Sequence, residues 1–151
     1  MKRAVFPGSF DPITIGHEAI IKRALPLFDK IILAVGVNTT KQYLFPLEQR
    51  ISALEKCFSQ EEKVQVQSYE GLTVEFCKSI DAQHIIRGLR SSIDFEFEKN
   101  IAEMNRKMES NIDTVFLISE PEHSAISSTI VREIYKSGGD ISAFVPKNFQ
   151  L

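Results

Sequence analysis

Cysteine is scarce in this 151-residue chain: only Cys57 and Cys77 occur, 20 positions apart, with no third cysteine or nearby histidine to join them. No metal-ligand spacing results, and no protein-held metal is expected. Each cysteine falls on a helix-like stretch and reads as a small buried apolar residue. An excess of one charge is also missing. Eighteen basic and 20 acidic side chains give a net charge of −2. Without a global basic field the chain does not read as a nucleic-acid binder, although a local positive pocket is compatible with that balance. No run approaches 18 continuous apolar residues, so no membrane span and no membrane partner are expected. Met1 to Pro7 carries two early positive charges and then a five-residue apolar-leaning run, too short for a signal peptide. The expectation is a cytoplasmic protein. Internal repeats, low-complexity segments and linkers are absent as well, so residues 1–151 read as a single domain, long enough to bury a core unaided.

Apolar residues make up 43% of the chain and charged residues 25%, the balance of a soluble globular protein. Short apolar runs alternate with longer helical patterns. Ala4 to Phe6, Ile31 to Val37, Val64 to Val66, Ile85-Ile86 and Val115 to Ile118 read as strands, the second as a buried parallel strand and the third as half-exposed. Helices are predicted at about His17–Phe28, Leu47–Phe58, Thr73–Ser79, Ile93–Met108 and Ser128–Ser137. In the fourth, Ile93, Phe97, Ile101, Met104 and Met108 recur at steps of 4, 4, 3 and 4, which gathers them on one face. Gly138-Gly139-Asp140 closes the last helix. Strand–helix alternation with short connections predicts an α/β fold: a Rossmann-like, doubly wound, parallel five-stranded sheet with helices on both faces. Ligands of such sheets bind beyond the carboxyl ends of the strands.

The loops at those ends carry the chemistry. Pro7-Gly8-Ser9-Phe10-Asp11-Pro12-Ile13-Thr14-Ile15-Gly16-His17 joins a strand to a helix and could cradle phosphate with backbone N–H groups. It lacks both the G-x-G-x-x-G and the P-loop spacing. His17 stands near the helix start, where it either donates to a phosphate oxygen or is merely an exposed first residue; the residues alone leave both readings open. Lys41 is a lone loop cation, a type usually solvated. Arg87 and Arg90 flank Gly88 and either grip phosphate or pair with Asp94, Glu96 or Glu98. Ser127-Ser128-Thr129 opens a helix as a cap or as a phosphate cradle. Paired carboxylates, a Ser–His–Asp set and a reactive cysteine are all missing. One His, one Lys, several Arg and many N–H groups suit binding a polyphosphate and positioning a transfer.

Thr14-x-Gly16-His17 resembles the T/H-x-G-H motif of the nucleotidyltransferase superfamily, and Ile126-Ser127-Ser128-Thr129-x-x-Arg132 resembles its I-S-S-T-x-x-R motif. Phe6 to His17, Ile86 to Arg90 and Asp94 to Glu98 are similar to the longer signatures of the phosphopantetheine adenylyltransferases, and the likeness runs from Lys2 to about Pro146. That resemblance implies transfer of AMP from ATP to 4'-phosphopantetheine, giving dephospho-CoA and pyrophosphate in coenzyme A biosynthesis. It implies a direct in-line attack, with Mg²⁺ held largely by the phosphates and no covalent enzyme intermediate. It also implies a homohexamer, with dephospho-CoA or CoA as product or feedback ligand.

By position, the resemblance makes His17 the catalytic residue, stabilising the α-phosphate. Ser9, Phe10, His17, Gly88, Leu89, Arg90 and Glu98 would bind ATP, together with His123, Ser124, Ala125, Ile126, Ser127, Ser128 and Thr129. Ser9, Lys41, Thr73 and Arg87 would bind the phosphopantetheine. The chain departs from the pattern at His123 and Ala125, where similar members carry aromatics, and it stops at Leu151, where many continue into a short helix. Two other readings remain: a nicotinate mononucleotide adenylyl- or cytidylyltransferase, and a non-catalytic nucleotide-binding module of the same fold.

Overall fold

The computed structural model describes residues 1–151. The apolar runs form five strands, β1 (Arg3–Gly8), β2 (Lys30–Val37), β3 (Val64–Glu70), β4 (His84–Leu89) and β5 (Asp113–Ile118). All pair in parallel, in the order β3-β2-β1-β4-β5. The helices are α1 (Ile15–Ala24), α2 (Leu47–Cys57), α3 (Thr73–Ser79), α4 (Ser92–Met108) and α5 (Ser128–Lys136), with 3₁₀ turns at Leu25–Leu27 and Pro121–His123. The doubly wound parallel sheet expected from the sequence is the one found.

Alternation along the buried strands divides the core. Ala4, Phe6, Ile31, Leu33, Val35 and Ile86 face Ile20, Ile21 and Ala24 of α1 and Leu54 of α2. Val5, Ile32, Ala34 and Ile85 face the other way, onto Val74 and Cys77 of α3. Full burial of each large aliphatic side chain contributes about 1.5–3 kcal/mol. β3 at one edge is half-buried at Val64 and Val66, against the α1 and α2 side, and at Tyr69, on the α3 side, with the positions between them exposed. Cys77 is buried, but Cys57 is only half-buried, contrary to expectation; burial pushes both thiols up to about 11, so neither is a ready nucleophile.

Two features differ from the sequence reading. The first helix begins at Ile15, not His17, because Thr14 serves as its N-cap, and it ends at Ala24, where Pro26 tightens the chain into a 3₁₀ turn. More consequential is α4. An apolar stripe on a surface helix ordinarily faces its own core. Here Ile93 and Phe97 are 81% and 67% exposed, and Ile101, Met104 and Met108 are exposed too. The inward face is Asp94, Glu98, Ala102 and Asn105, spaced 4, 4 and 3, of which Glu98 is buried and the others half-buried. The helix turns its polar side to the sheet because that side meets the arginines at the end of β4.

The sheet opens where ligands are expected. β1 and β4 point their connections to opposite sides, which makes their junction the switch point of the sheet. β1 pairs with β2 as far as Gly8, but with β4 only through Ala4↔His84 and Val5↔Ile85. Pro7 has no N–H to extend that ladder. Arg87 fills the gap with a hydrogen bond from Nη1 to Pro7 O at 2.9 Å.

The β1–α1 loop is fixed beside this opening by the buried carboxylate of Asp11. Its Oδ2 accepts from Leu44 N–H at 2.8 Å and its Oδ1 from Phe45 N–H at 2.9 Å. Asp11→Ala is expected to cost roughly 1.5–3 kcal/mol in urea unfolding, because two buried amides lose a charged acceptor. A loss below about 0.5 kcal/mol, the level of an ordinary surface change, would show that the loop does not depend on it.

Candidate active site

Four carbonyls at the end of β1 and in the β1–α1 loop are held from outside by side chains of three other segments, β4, α2 and α5. Arg87 donates to Pro7 O, Arg50 Nη1 to Ser9 O at 2.7 Å, Arg132 Nη1 to Asp11 O at 2.9 Å, and Ser128 Oγ to Pro12 O at 2.8 Å. Gly8 is needed here for space: a Cβ would stand 3.2 Å from the Phe10 ring, tighter than most real contacts. The motif arginine Arg132 therefore joins α5 to the first loop, and its Nη2 also reaches Thr129 Oγ1 at 3.2 Å.

Within this frame His17 is placed with some care. It is the third residue of α1, half-buried against Phe10 and Phe6, with ring centroids 5.4 and 6.2 Å away. Thr14 N–H donates to its Nδ1 at 3.1 Å, while His17 N–H donates to Thr14 Oγ1 at 3.4 Å, a reciprocal capping box. An Nδ1 that accepts carries no proton, so in the neutral ring the proton sits on Nε2. Burial, and then the charges of Arg87 and Arg90, lower the imidazole pKa from 6.5 to about 4. His17 is thus a neutral Nε2–H donor at pH 7, beside two guanidinium groups.

Two cavities meet at the open end of the sheet. One, of about 460 Å³, lies between the β2 and β3 loops and α4; Lys41, Tyr43, Tyr69, Thr73 and Asn105 are in its lining. The other, of about 350 Å³, lies toward α1 and α5; Phe10, His17, Gly88, Arg90 and Ile126 to Thr129 are in its lining. They share Pro7, Gly8, Ser9, Lys41, Arg87 and Glu98. Lys41 Nζ donates to Ser9 Oγ at 3.0 Å across this common floor. It is an exposed cation with a protein partner.

The two arginines are both paired, as the plainer sequence reading allowed. Arg87 grips Glu98 with Nε at 2.9 Å and Nη2 at 2.6 Å, a planar two-point contact. Arg90 lies 3.5 Å from Asp94 and donates from Nη1 to Ile126 O at 3.1 Å. At the start of α5, Ser127 caps the helix by accepting from Ile130 N–H at 3.2 Å. Ser128 and Thr129 are engaged as above.

Three expected site residues are absent from the lining of both cavities. Leu89 is buried at the end of β4, and neither it nor Ser124 nor Ala125 lines either cavity. Their neighbours in the chain do, because alternate residues of a strand and of a tight turn point in different directions. His123 does line the second cavity, and its Nδ1 is enclosed without a hydrogen-bond partner. Residues with metal-ligand chemistry gather only at Glu120, Glu122 and His123, with ligand atoms within 4.8 Å of one another and both glutamates exposed. Asp11, Arg50 and Arg132 organise the site without having been singled out. Asp11 stands inside the longer signature from Phe6 to His17 and Arg132 inside the I-S-S-T-x-x-R motif, whereas nothing in its local sequence marks Arg50.

A family model described as cytidylyltransferase-like matches residues 5–134. Curated relatives include a phosphopantetheine adenylyltransferase of Christiangramia forsetii, 55% identical over 97% of this chain and 96% of its own. Those of Flavobacterium psychrophilum and Bacteroides fragilis are 53% and 44% identical over 97% and 100% of both chains. Among solved structures, a bifunctional NMN adenylyltransferase/ADP ribose pyrophosphatase from Francisella tularensis superposes with a TM-score of 0.70 at 16% identity, over 97% of this chain and 45% of that one. That likeness shows a shared fold.

The tautomer and the lowered pKa are directly measurable. Folded and unfolded imidazoles are both neutral above pH 6.5, so the group then adds no pH dependence. Between pH 6.5 and about 4 the unfolded ring takes up a proton that the folded ring refuses, so stability drops as the pH is lowered across that window. Imidazole ¹⁵N NMR is expected to show the Nε2–H tautomer of His17 and a midpoint near 4. A midpoint at 6–7 would refute the placement.

Proposed function

Since this chain belongs to the phosphopantetheine adenylyltransferases, within the cytidylyltransferase-like family, we propose how its own residues carry out that reaction. The enzyme is a nucleotidyltransferase of coenzyme A biosynthesis; it moves AMP from ATP to 4'-phosphopantetheine, releasing pyrophosphate and dephospho-CoA. One observation carries the assignment of parts: two cavities with a common floor at Ser9, Lys41 and Arg87. A transfer between two bound molecules needs such a junction.

The cavity with His17, Arg90 and Ser127 to Thr129 takes ATP, and the one with Lys41 and Thr73 takes the phosphopantetheine. The acceptor phosphate, already ionised at neutral pH, attacks the α-phosphorus. A new phosphorus–oxygen bond forms as the bond to pyrophosphate breaks, so no general base is called for. Charge grows on the α-phosphate oxygens, where Nε2–H of His17 is aimed beforehand and costs no reorganisation. Lys41 at the floor holds the acceptor phosphate. Arg87, fixed by Glu98 and Pro7 O, offers its charge there without having to leave its pairs. Both carboxylates lining the nucleotide cavity, Asp94 and Glu98, are engaged by arginines. This suits Mg²⁺ that arrives with ATP and is held by its phosphates, where it screens their charge.

The outward apolar stripe of α4 supports a homo-oligomer, and the family resemblance makes it a homohexamer in the cytoplasm, with dephospho-CoA or CoA returning as a feedback ligand. Covering Ile93, Phe97 and Met104 with a second copy would remove an exposed apolar row that a monomer has no reason to keep. Phe97→Asp is expected to shift the light-scattering mass toward monomer; an unchanged mass would take the stripe out of the assembly.

Pyrophosphate release from ATP, with 4'-phosphopantetheine or with nicotinate mononucleotide as acceptor, tests the activity. Release only with the second acceptor, or none with either, would overturn it. His17→Ala is expected to keep the wild-type circular dichroism and lose about 10²–10³ in kcat, the usual effect of removing one such donor. A kcat within a few-fold of wild type would remove His17 from the mechanism.

A further inference from the structure

Lys41 sits on an exposed turn, yet its ammonium is found at one place, on Ser9 Oγ. Something must restrict a side chain with four rotatable bonds on a surface loop, because its free rotamers would otherwise oppose that geometry. The turn itself begins at Asn38. Its Oδ1 accepts from Thr40 N–H at 3.0 Å and Thr40 Oγ1 at 2.7 Å, and its C=O accepts from Lys41 N–H at 3.1 Å. The position of Asn38 therefore sets the position of the Lys41 backbone.

Asn38 is in turn held by one side chain. Its N–H donates to the hydroxyl of Tyr43 at 3.1 Å, and that hydroxyl donates to Gly36 O at 3.3 Å, near the end of β2. The phenol closes the loop on itself and joins it to the rigid sheet. The ring is fixed from the other side: the Arg50 guanidinium carbon stands 3.9 Å from its centroid. Arg50 is buried and anchored by Nε to Phe45 O at 3.1 Å and Nη1 to Ser9 O at 2.7 Å. Lys41 Nζ lies 5.4 Å from the same centroid, close enough for cation–π attraction. Arg50 thus ties the Tyr43 ring to the Ser9 backbone, and Tyr43 ties Asn38, and with it Lys41, to the ring. Both ends of the Lys41–Ser9 contact are referred to one stacked pair.

We propose that Tyr43 is a positioning residue for Lys41, setting the ammonium at the floor where the two cavities meet. The inference rests on the reading of Lys41 as the holder of the acceptor phosphate. Its hydroxyl is the specific part, since the ring alone would keep the stack on Arg50 but leave Asn38 N–H untied. A residue of this kind acts on acceptor binding and reaches the nucleotide only indirectly.

The test is a double-mutant cycle read by steady-state kinetics of the full-length enzyme. Tyr43→Phe is expected to raise the KM for 4'-phosphopantetheine roughly 3- to 10-fold, the worth of one hydrogen bond, with the KM for ATP and the melting temperature near wild type. Lys41→Ala is expected to raise the same KM roughly 10- to 100-fold. In the double variant the Tyr43→Phe effect should vanish, because there is no ammonium left to place. Tyr43→Leu, which removes the stack as well, should exceed Tyr43→Phe only while Lys41 is present. If Tyr43→Phe has no effect, or the same effect with and without Lys41, the proposal is wrong while the role of Lys41 stands. If Lys41→Ala leaves acceptor KM unchanged, the role of Lys41 fails and the proposal goes with it.

Discussion

The site depends on a short connection that makes almost no regular structure of its own. From the end of β1 to the start of α1, the carbonyls of Pro7, Ser9, Asp11 and Pro12 are each taken by a side chain from a distant part of the chain. Leaving such groups unpaired in a half-buried loop would cost about 1–3 kcal/mol each. Satisfying them with Arg50, Arg87, Arg132 and Ser128 does more than remove that cost. It draws α2, β4 and α5 around one stretch of backbone, so pieces separated by up to 121 positions in sequence become one rigid seat. Three of the four donors are arginines, whose planar groups can serve a carbonyl and a second partner together.

That seat lies where the sheet divides. β1 stops pairing with β4 after Val5, and the space left between the strands is what the two cavities share. Paired arginines at this opening are held in place before any phosphate arrives. A loose arginine would first lose rotamer freedom on binding, whereas Arg87 on Glu98 has lost it already. Neutral His17 fits the same pattern. Burial, and then the two nearby guanidiniums, disfavour a positive charge there, and the accepting Nδ1 settles which nitrogen carries the proton.

Much of this was legible from the residues. The β-branched runs and helical spacing gave the sheet and its order of elements, and the two histidine- and serine-bearing motifs marked residues that line one and the same cavity. What was hidden has physical reasons. His17 and Thr14 form a reciprocal pair, and spacing alone cannot distinguish an N3 residue that caps from a first residue that does not. Arg87 and Arg90 were equally able to hold phosphate or carboxylate, and only the helix orientation decides that Glu98 and Asp94 face them. The orientation of α4 could not be read from its apolar period, since the period names a face but not what covers it. Leu89, Ser124 and Ala125 stood within or beside the quoted stretches, yet none of them lines either cavity.

The same helix has a mechanical consequence. α4 is 17 residues long and stiff, and its two long faces have different owners. Glu98 and Asp94 on one face hold the two arginines, while Phe97 and Ile101, adjacent to or three positions from Glu98, point outward. A packed rod cannot yield on one side and stay still on the other. A displacement of the outer row that moved α4 as one body would carry Glu98 and Asp94 with it, and through them the guanidinium groups of Arg87 and Arg90. The handle of such a lever would stand outside the molecule, on the exposed row.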